Sequence, residues 1–136
     1  LTHVIVDTDV FSYLLQGQGQ RFEPLIKGKI PVLTFTSVAE LHFGAAKSHW
    51  GERRVAALED AMRRYLVTLW GEDLAKLWGL LKAQAVKTGH PLGHAPQSND
   101  LWICASAIRY DAPLLTNNQR HFANFPGLNL LYPSDD

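Results

Sequence analysis

The chain has 136 residues, and 13 Lys and Arg balance 13 Asp and Glu, so its formal net charge is zero. That length suits one domain, residues 1–136, whose core needs neither disulfides nor a metal staple. The neutral balance argues against a strongly basic nucleic-acid binder on global charge, a lone cysteine, Cys104, excludes a disulfide framework or cysteine metal cluster, and no apolar stretch is long enough to span a bilayer.

No charged-then-apolar leader is read ahead of the first strand, and a reducing cytoplasm is the expected compartment. HVIVD (3–7) reads as a strand in which Val4, Ile5 and Val6 are buried on both faces. A short helix is predicted from about Val10 to Leu15, and QGQGQ (16–20) as a flexible connection. FEPLIKGK accommodates another short helix, with Pro24 in its first turn and Gly28 ending it. IPVLTF (30–35) is a second strand. TSVAELHFGAAKSH opens a helix on the spacing of Val38, Leu41 and Ala45. Residues 52–64 form a helix carrying Arg53, Arg54, Arg63 and Arg64. YLVTLW (65–70) is a third strand. GEDLAKLWGLLKAQAVKTG is a long amphipathic helix with Leu74, Leu77, Trp78 and Leu81 on one face and Gly89 as its stop. HPLGHAPQ (90–97) is a loop, and SNDLWICASAIRY a helix with Ser98 at its N-cap. APLLT is a short fourth strand, NNQRHFANFPG a turn and helix, and LNLLY (128–132) a fifth strand. Short apolar strands alternating with helices imply a three-layer α/β/α fold around a mostly parallel sheet of about five strands. Its crossovers are right-handed, and a site belongs outside the carboxyl ends of the strands.

The acids fall on that edge. Asp7 ends the first strand, Glu40 lies in the first turn after the second, Asp100 opens the helix before the fourth, and Asn117 and Asn118 follow the fourth. Each acid alone has a structural explanation. Asp7 or Asp9 can cap the following helix; Glu40 completes the capping-box pattern Ser37-Val38-Ala39-Glu40; Asp100 suits a helix N-terminus. Those explanations leave the joint placement unaccounted for. Two bare carboxylates about 5 Å apart repel by roughly 3 kcal/mol at an effective dielectric near 20, so three together call for a cation. Oxygen-only ligands favour Mg²⁺ or Mn²⁺ over zinc. With Asp7, Asp9, Glu40 and Asp100 neutralised there, the rest of the surface becomes net basic, as suits a phosphate backbone. His90 and His94 are kept from a helical metal pair by Pro91 and Gly93. Cys104 reads as a buried thiol, Trp50 and Trp70 as packing residues, the Arg53–Arg64 helix as a solvated face, and His121 with Phe122 as an anchor of the last helix.

Four stretches in order, VIVDTDVFSYLL, TSVAELHFGA, NDLWICASAI, and LLTNNQRHF followed by PGLNLL, resemble PIN-domain ribonucleases of the VapC toxin type over nearly the whole chain. The resemblance implies a metal-dependent endoribonuclease that cuts single-stranded RNA, the toxin of a type II toxin–antitoxin module. It also implies a homodimer and a small antitoxin protein that blocks the acidic site with a basic side chain. Asp7, Glu40 and Asp100 fall at the family's three acids, Asn118 where it carries a fourth acid or an asparagine, and Thr116 at its small hydroxyl position. Asp9 departs from the small residue often found there and adds charge. Under this reading Asp7 and Asp100 hold the Mg²⁺ or Mn²⁺, and Glu40 holds a metal water or acts as general base. Asn118 hydrogen-bonds a metal water or a phosphate oxygen, and Arg120 contacts phosphate. Phe11, Leu14, Leu15 and Trp50 are candidates for the antitoxin's docking surface. RNA specificity falls to groove shape and to segments 16–20 and 90–97. Two alternatives stand beside it. VIVDTDV also fits a haloacid-dehalogenase-like phosphatase with Asp7 as nucleophile and Asp9 as acid/base, although no acidic pair follows the fourth strand. A non-catalytic RNA-binding module is the other.

Overall fold

The computed structural model describes residues 2–134. Five short strands form one sheet in the order β3-β2-β1-β4-β5: β1 (His3–Val6), β2 (Ile30–Thr34), β3 (Leu66–Thr68), β4 (Leu114–Leu115) and β5 (Leu130–Leu131). Every neighbouring pair is parallel, with Ile5 opposite Val32 on one side and opposite Leu114 on the other. β1 is therefore central, and its alternation divides the core in two. Val4 and Val6 face one layer, with Val10, Phe11 and Leu15 of α1 (Thr8–Leu15), Leu25 and Ile26 of α2 (Glu23–Ile26), Ala45 of α3 (Phe35–Lys47), and Leu58 and Met62 of α4 (Glu52–Met62). Ile5 faces the other, with Leu74, Leu81 and Ala85 of α5 (Glu72–Thr88), the apolar side of α6 (Ser98–Arg109), and Phe122 of α7 (Gln119–Phe122). This is the expected three-layer α/β/α arrangement.

Several boundaries follow local chemistry. α5 ends where Gly89 takes a left-handed conformation (φ 74°), letting Gly89 N–H and His90 N–H close back onto Val86 O and Ala85 O. α3 begins earlier than the sequence spacing implies. Thr34 is its N-cap, and the Thr34 hydroxyl accepts from Ser37 N–H at 3.1 Å. Ser37 therefore lies inside the first turn, the expected capping box does not form, and Glu40 stands one turn into the helix. Ser98 is likewise the first residue of α6 rather than its cap: the 3-10 turn Ala95–Gln97 starts the winding sooner and leaves Gln97 at the cap position.

Segment 90–97 is an ordered pair of 3-10 turns rather than a loose loop. Its Leu92 is fully buried between α5 and α6. His90 is committed there: Nδ1 accepts from Leu92 N–H at 3.1 Å and Nε2 lies 2.9 Å from Ala123 O. Trp70, read as a packing residue, is 62 % exposed just past the edge strand β3. Trp50 does pack on the α1–α4 layer, with the Arg54 guanidinium 3.7 Å from its ring centroid. Among the described residues no helix is long and apolar enough to cross a membrane. Truncating Leu92 to Ala should cost about 3 kcal/mol in urea unfolding, as fully buried leucines do. The same change at exposed Leu80 should stay within about 0.5 kcal/mol.

Candidate active site

Parallel strands deliver their carboxyl ends to one edge, and the predicted acids meet there. Asp7 leaves β1 as the N-cap of α1, only 6 % exposed. Its Oδ1 accepts from Thr8 N–H at 2.8 Å, and its Oδ2 from the buried Thr116 hydroxyl at 2.9 Å. Thr116 follows β4, and its oxygen in turn accepts from Asn118 N–H at 2.9 Å. Asp7 thus caps a helix and faces the site at once. Asn118 precedes α7, and its exposed amide makes no cap bond to that helix.

Glu40 is tied to the same group. The Thr8 hydroxyl donates to Glu40 Oε1 at 3.0 Å. Because a hydroxyl has one proton, the 2.8 Å contact between Thr8 Oγ1 and Ser37 Oγ must be donated by Ser37. The same reasoning continues inward: Thr34 donates to Ser37 at 3.1 Å, and Thr36 to Thr34 at 2.8 Å. Four buried or half-buried hydroxyls on β2, α3 and α1 therefore align in one direction, toward the Glu40 carboxylate. None of Thr8, Thr34, Thr36 and Ser37 was identifiable as a site residue in the sequence, where Ser37 read as a cap. The clue available was the cluster of short hydroxyl side chains in TFTS, beside an acid one turn later.

Asp100 sits in the first turn of α6. His121 Nε2 approaches its Oδ2 to 3.0 Å, a pairing the sequence reading missed by assigning His121 to packing. Asp9 is exposed on α1, and its charge acts on Asp7, Glu40 and Asp100 alike. Arg120 is exposed on α7, adjacent to His121. Arg53, Arg54, Arg63 and Arg64 are exposed, and Arg63 pairs with Asp60, which agrees with a solvated face.

The electrostatics are those of uncompensated acid. Burial pushes the Asp7 carboxyl up to about 7, opposed by the Thr116 hydroxyl and reinforced by the charges of Asp100 and Asp9. Glu40 is raised by burial, opposed by the Thr8 hydroxyl and the Asn99 amide. Asp100 is raised by burial, opposed by His121 and reinforced by Asp9. Hard carboxylate oxygens that raise one another's pKa fit an oxophilic divalent cation. Among the described residues no three His, Cys, Asp or Glu side chains are gathered tightly enough to enclose an ion by themselves, so such a cation would keep water ligands. Cys104 takes no part; burial pushes its thiol up to about 12.

A family model for the PIN domain matches residues 4–128. The chain belongs to the PIN-domain family. Ribonuclease VapC2 of Haemophilus influenzae is 33 % identical over 122 residues, covering 87 % of this chain and 88 % of its own length. Among solved structures, VapBC-1 from nontypeable Haemophilus influenzae superposes with a TM-score of 0.82 at 26 % identity, covering 96 % of this chain and 98 % of that one. VapBC2 from Rickettsia felis, bound to a DNA fragment from its promoter, gives 0.81 at 23 % identity over 98 % of this PIN chain and all of that chain. These likenesses do not favour the phosphatase or the non-catalytic alternative.

The raised Asp7 pKa has a sign that can be measured. Between the ordinary carboxyl value of 3.8 and about 7 the native state holds a proton that the unfolded state has lost. Without divalent ions, stability should fall as pH rises through that window and level off above it, by up to about 4 kcal/mol. Asp7→Asn keeps an acceptor for Thr8 N–H and removes the charge. Its thermal midpoint should exceed wild type at pH 8, with a flatter pH profile in differential scanning calorimetry.

Proposed function

We propose that this chain is a divalent-metal-dependent endoribonuclease acting in the cytoplasm on single-stranded RNA, the toxin of a toxin–antitoxin pair. The observation that carries this reading is the convergence of Asp7, Glu40 and Asp100 at the carboxyl edge of a parallel sheet, with the Thr116 hydroxyl donating to Asp7, the Thr8 hydroxyl to Glu40, and His121 beside Asp100. Residues 1–136 act as one domain. Asp7 and Asp100 would hold Mg²⁺ or Mn²⁺, which supplies charge relief at the phosphate and acidifies a bound water.

The remaining roles belong to the side chains. Thr8 N–H and Thr116 hold the Asp7 carboxylate in one orientation from both oxygens. Glu40 is the general base: its pKa is raised, and the aligned hydroxyls orient its carboxylate through Oε1 to take a proton from the attacking water. Asn118, fixed through Thr116, offers an amide donor to a phosphate oxygen, and Arg120 a guanidinium to the neighbouring phosphate. Cleavage of a single-stranded RNA panel under Mg²⁺ or Mn²⁺ titration tests the reading. Asp7→Asn and Asp100→Asn should each reduce the rate at least about 100-fold at saturating ion. Undiminished cleavage in either variant would remove the site.

The partner is proposed to be a small antitoxin. Solved relatives are VapBC proteins, and this chain has an apolar groove of about 370 Å³ between α1, α2 and α4. Phe11, Leu14, Leu15 and Ile26 line it, with Glu23, Lys27 and Arg64 among its polar residues. An amphipathic helix fits that combination, apolar face inward and charged residues at the margin. Trp50, on the same layer, does not line the groove. The homodimer rests on the family resemblance. Ile26→Glu should weaken antitoxin binding at least tenfold in calorimetric titration, roughly the effect of one buried unpaired charge at an interface, while RNA cleavage by the free toxin is retained.

A further inference from the structure

Segment 16–20, expected to be a flexible connection, is a locked turn. Gly17 N–H donates to Leu14 O (3.2 Å), Gln18 N–H to Tyr13 O (2.8 Å), and Phe22 N–H to Gly19 O (2.9 Å). The Gln20 amide donates to Gly17 O at 2.9 Å. Gly17 has φ 72°. Gly19 is pressed on Leu14, where a Cβ would lie 2.3 Å from Leu14 Cδ2 and 2.9 Å from Leu14 Cα. The second of these contacts is backbone, so no larger residue fits without moving the turn.

The turn holds Gln18 at a cavity of about 280 Å³, whose other walls are Tyr13, Arg21, Phe22 and Asn117. Buried Phe22 anchors two of them. Tyr13 stacks on it at 5.9 Å and 25°, and the Arg21 guanidinium lies 5.3 Å from its ring centroid. Tyr13 remains 38 % exposed. Asn117 joins the cavity to the acids, because it stands between Thr116, the donor to Asp7, and Asn118.

A partly open aromatic ring, a guanidinium and two primary amides form a set suited to one nucleotide. The ring offers a stacking face, the amides offer a donor and an acceptor each to a base edge, and the guanidinium offers charge to phosphate. An apolar protein side chain would leave both amides and the guanidinium unmatched, which disfavours it. We propose that this cavity binds the nucleotide beside the scissile phosphate. Its base lies on Tyr13, its edge is read by Gln18 and Asn117, and its phosphate is met by Arg21. The proposal rests on the ribonuclease reading and makes this pocket its determinant of base preference.

The test uses full-length protein and short single-stranded RNAs with 2-aminopurine placed at successive positions. With Asp7→Asn to prevent cutting, quenching should be confined to one position, and Tyr13→Leu should abolish it. Gln18→Ala and Arg21→Gln, both on exposed side chains, should raise Kd about tenfold. In the wild-type background the same two changes should raise KM about tenfold, leave kcat nearly unchanged, and relax base preference at that position. Variants that bind and cut with the parent's Kd, KM and preference overturn the subsite, as do variants that lose only antitoxin affinity. Position-specific quenching without any cleavage by wild type upholds nucleotide binding in this cavity but overturns the nuclease reading, and with it the cavity's place beside a scissile phosphate. RNA neither bound nor cut overturns both.

Discussion

The carboxylate of Asp7 at the end of the central strand is the constraint on which the site depends. A charge buried there costs desolvation, and the fold answers with two donors, Thr8 N–H and the Thr116 hydroxyl. They are not enough, because burial still holds the group near neutral pH in its titration. Topology makes the position unavoidable. β1 lies between β2 and β4, so the start of α3, the residues after β4 and the N-terminal end of α6 crowd the same edge. Each brings an acid or a hydroxyl, and the site is assembled from segments up to 109 residues apart in sequence.

That assembly explains which parts were legible beforehand. The β1 run was readable because Val4, Ile5 and Val6 are apolar on both faces, and burial on both faces marks a central parallel strand. The shared edge of Asp7, Glu40 and Asp100 was legible from their places after the first strand, after the second and at the start of the helix before the fourth in a parallel sheet, together with the family resemblance. The start of α3 was not, because Thr34 and Ser37 are both good caps and tertiary context chose the earlier one. Ser37 was then free to donate to Thr8, a contact no local pattern encodes. His121 was read from its neighbour Phe122, which its ring does meet edge-on, but its approach to Asp100, 21 residues before it in the chain, has no local signal. Glycine content misled at segment 16–20. There glycine serves close approach to Leu14 rather than mobility, and composition cannot separate those two uses.

The neutral net charge conceals a separation that matters more than the total. Four acids are drawn toward one edge, while arginines stand exposed on α4 and α7. A chain with no excess of positive charge can still attract a polyanion if its negative charge is confined to a hole and offset by a bound cation. Global charge therefore carries little information about nucleic-acid binding in a fold of this kind. The relevant quantity is the local field along the edge.

The choice of partners for the acids decides what the edge can do. A lysine or arginine hydrogen-bonded to Asp7 would remove the desolvation cost outright, and would also satisfy permanently the charge that makes the site receptive to a cation. Hydroxyls act differently. They favour the ionised form by donating one proton each, yet add no net charge. The line from Thr36 through Thr34, Ser37 and Thr8 to Glu40 can run in only one direction once Glu40 accepts, so it orients the carboxylate without neutralising it. The same holds for Thr116 at Asp7. His121 is the exception, a ring nitrogen rather than a hydroxyl, and it stands 3.0 Å from Asp100 on the far helix layer. The fold thus orients Asp7 and Glu40 without neutralising them, and the desolvation left at Asp7 is a cost that a bound oxophilic cation would relieve.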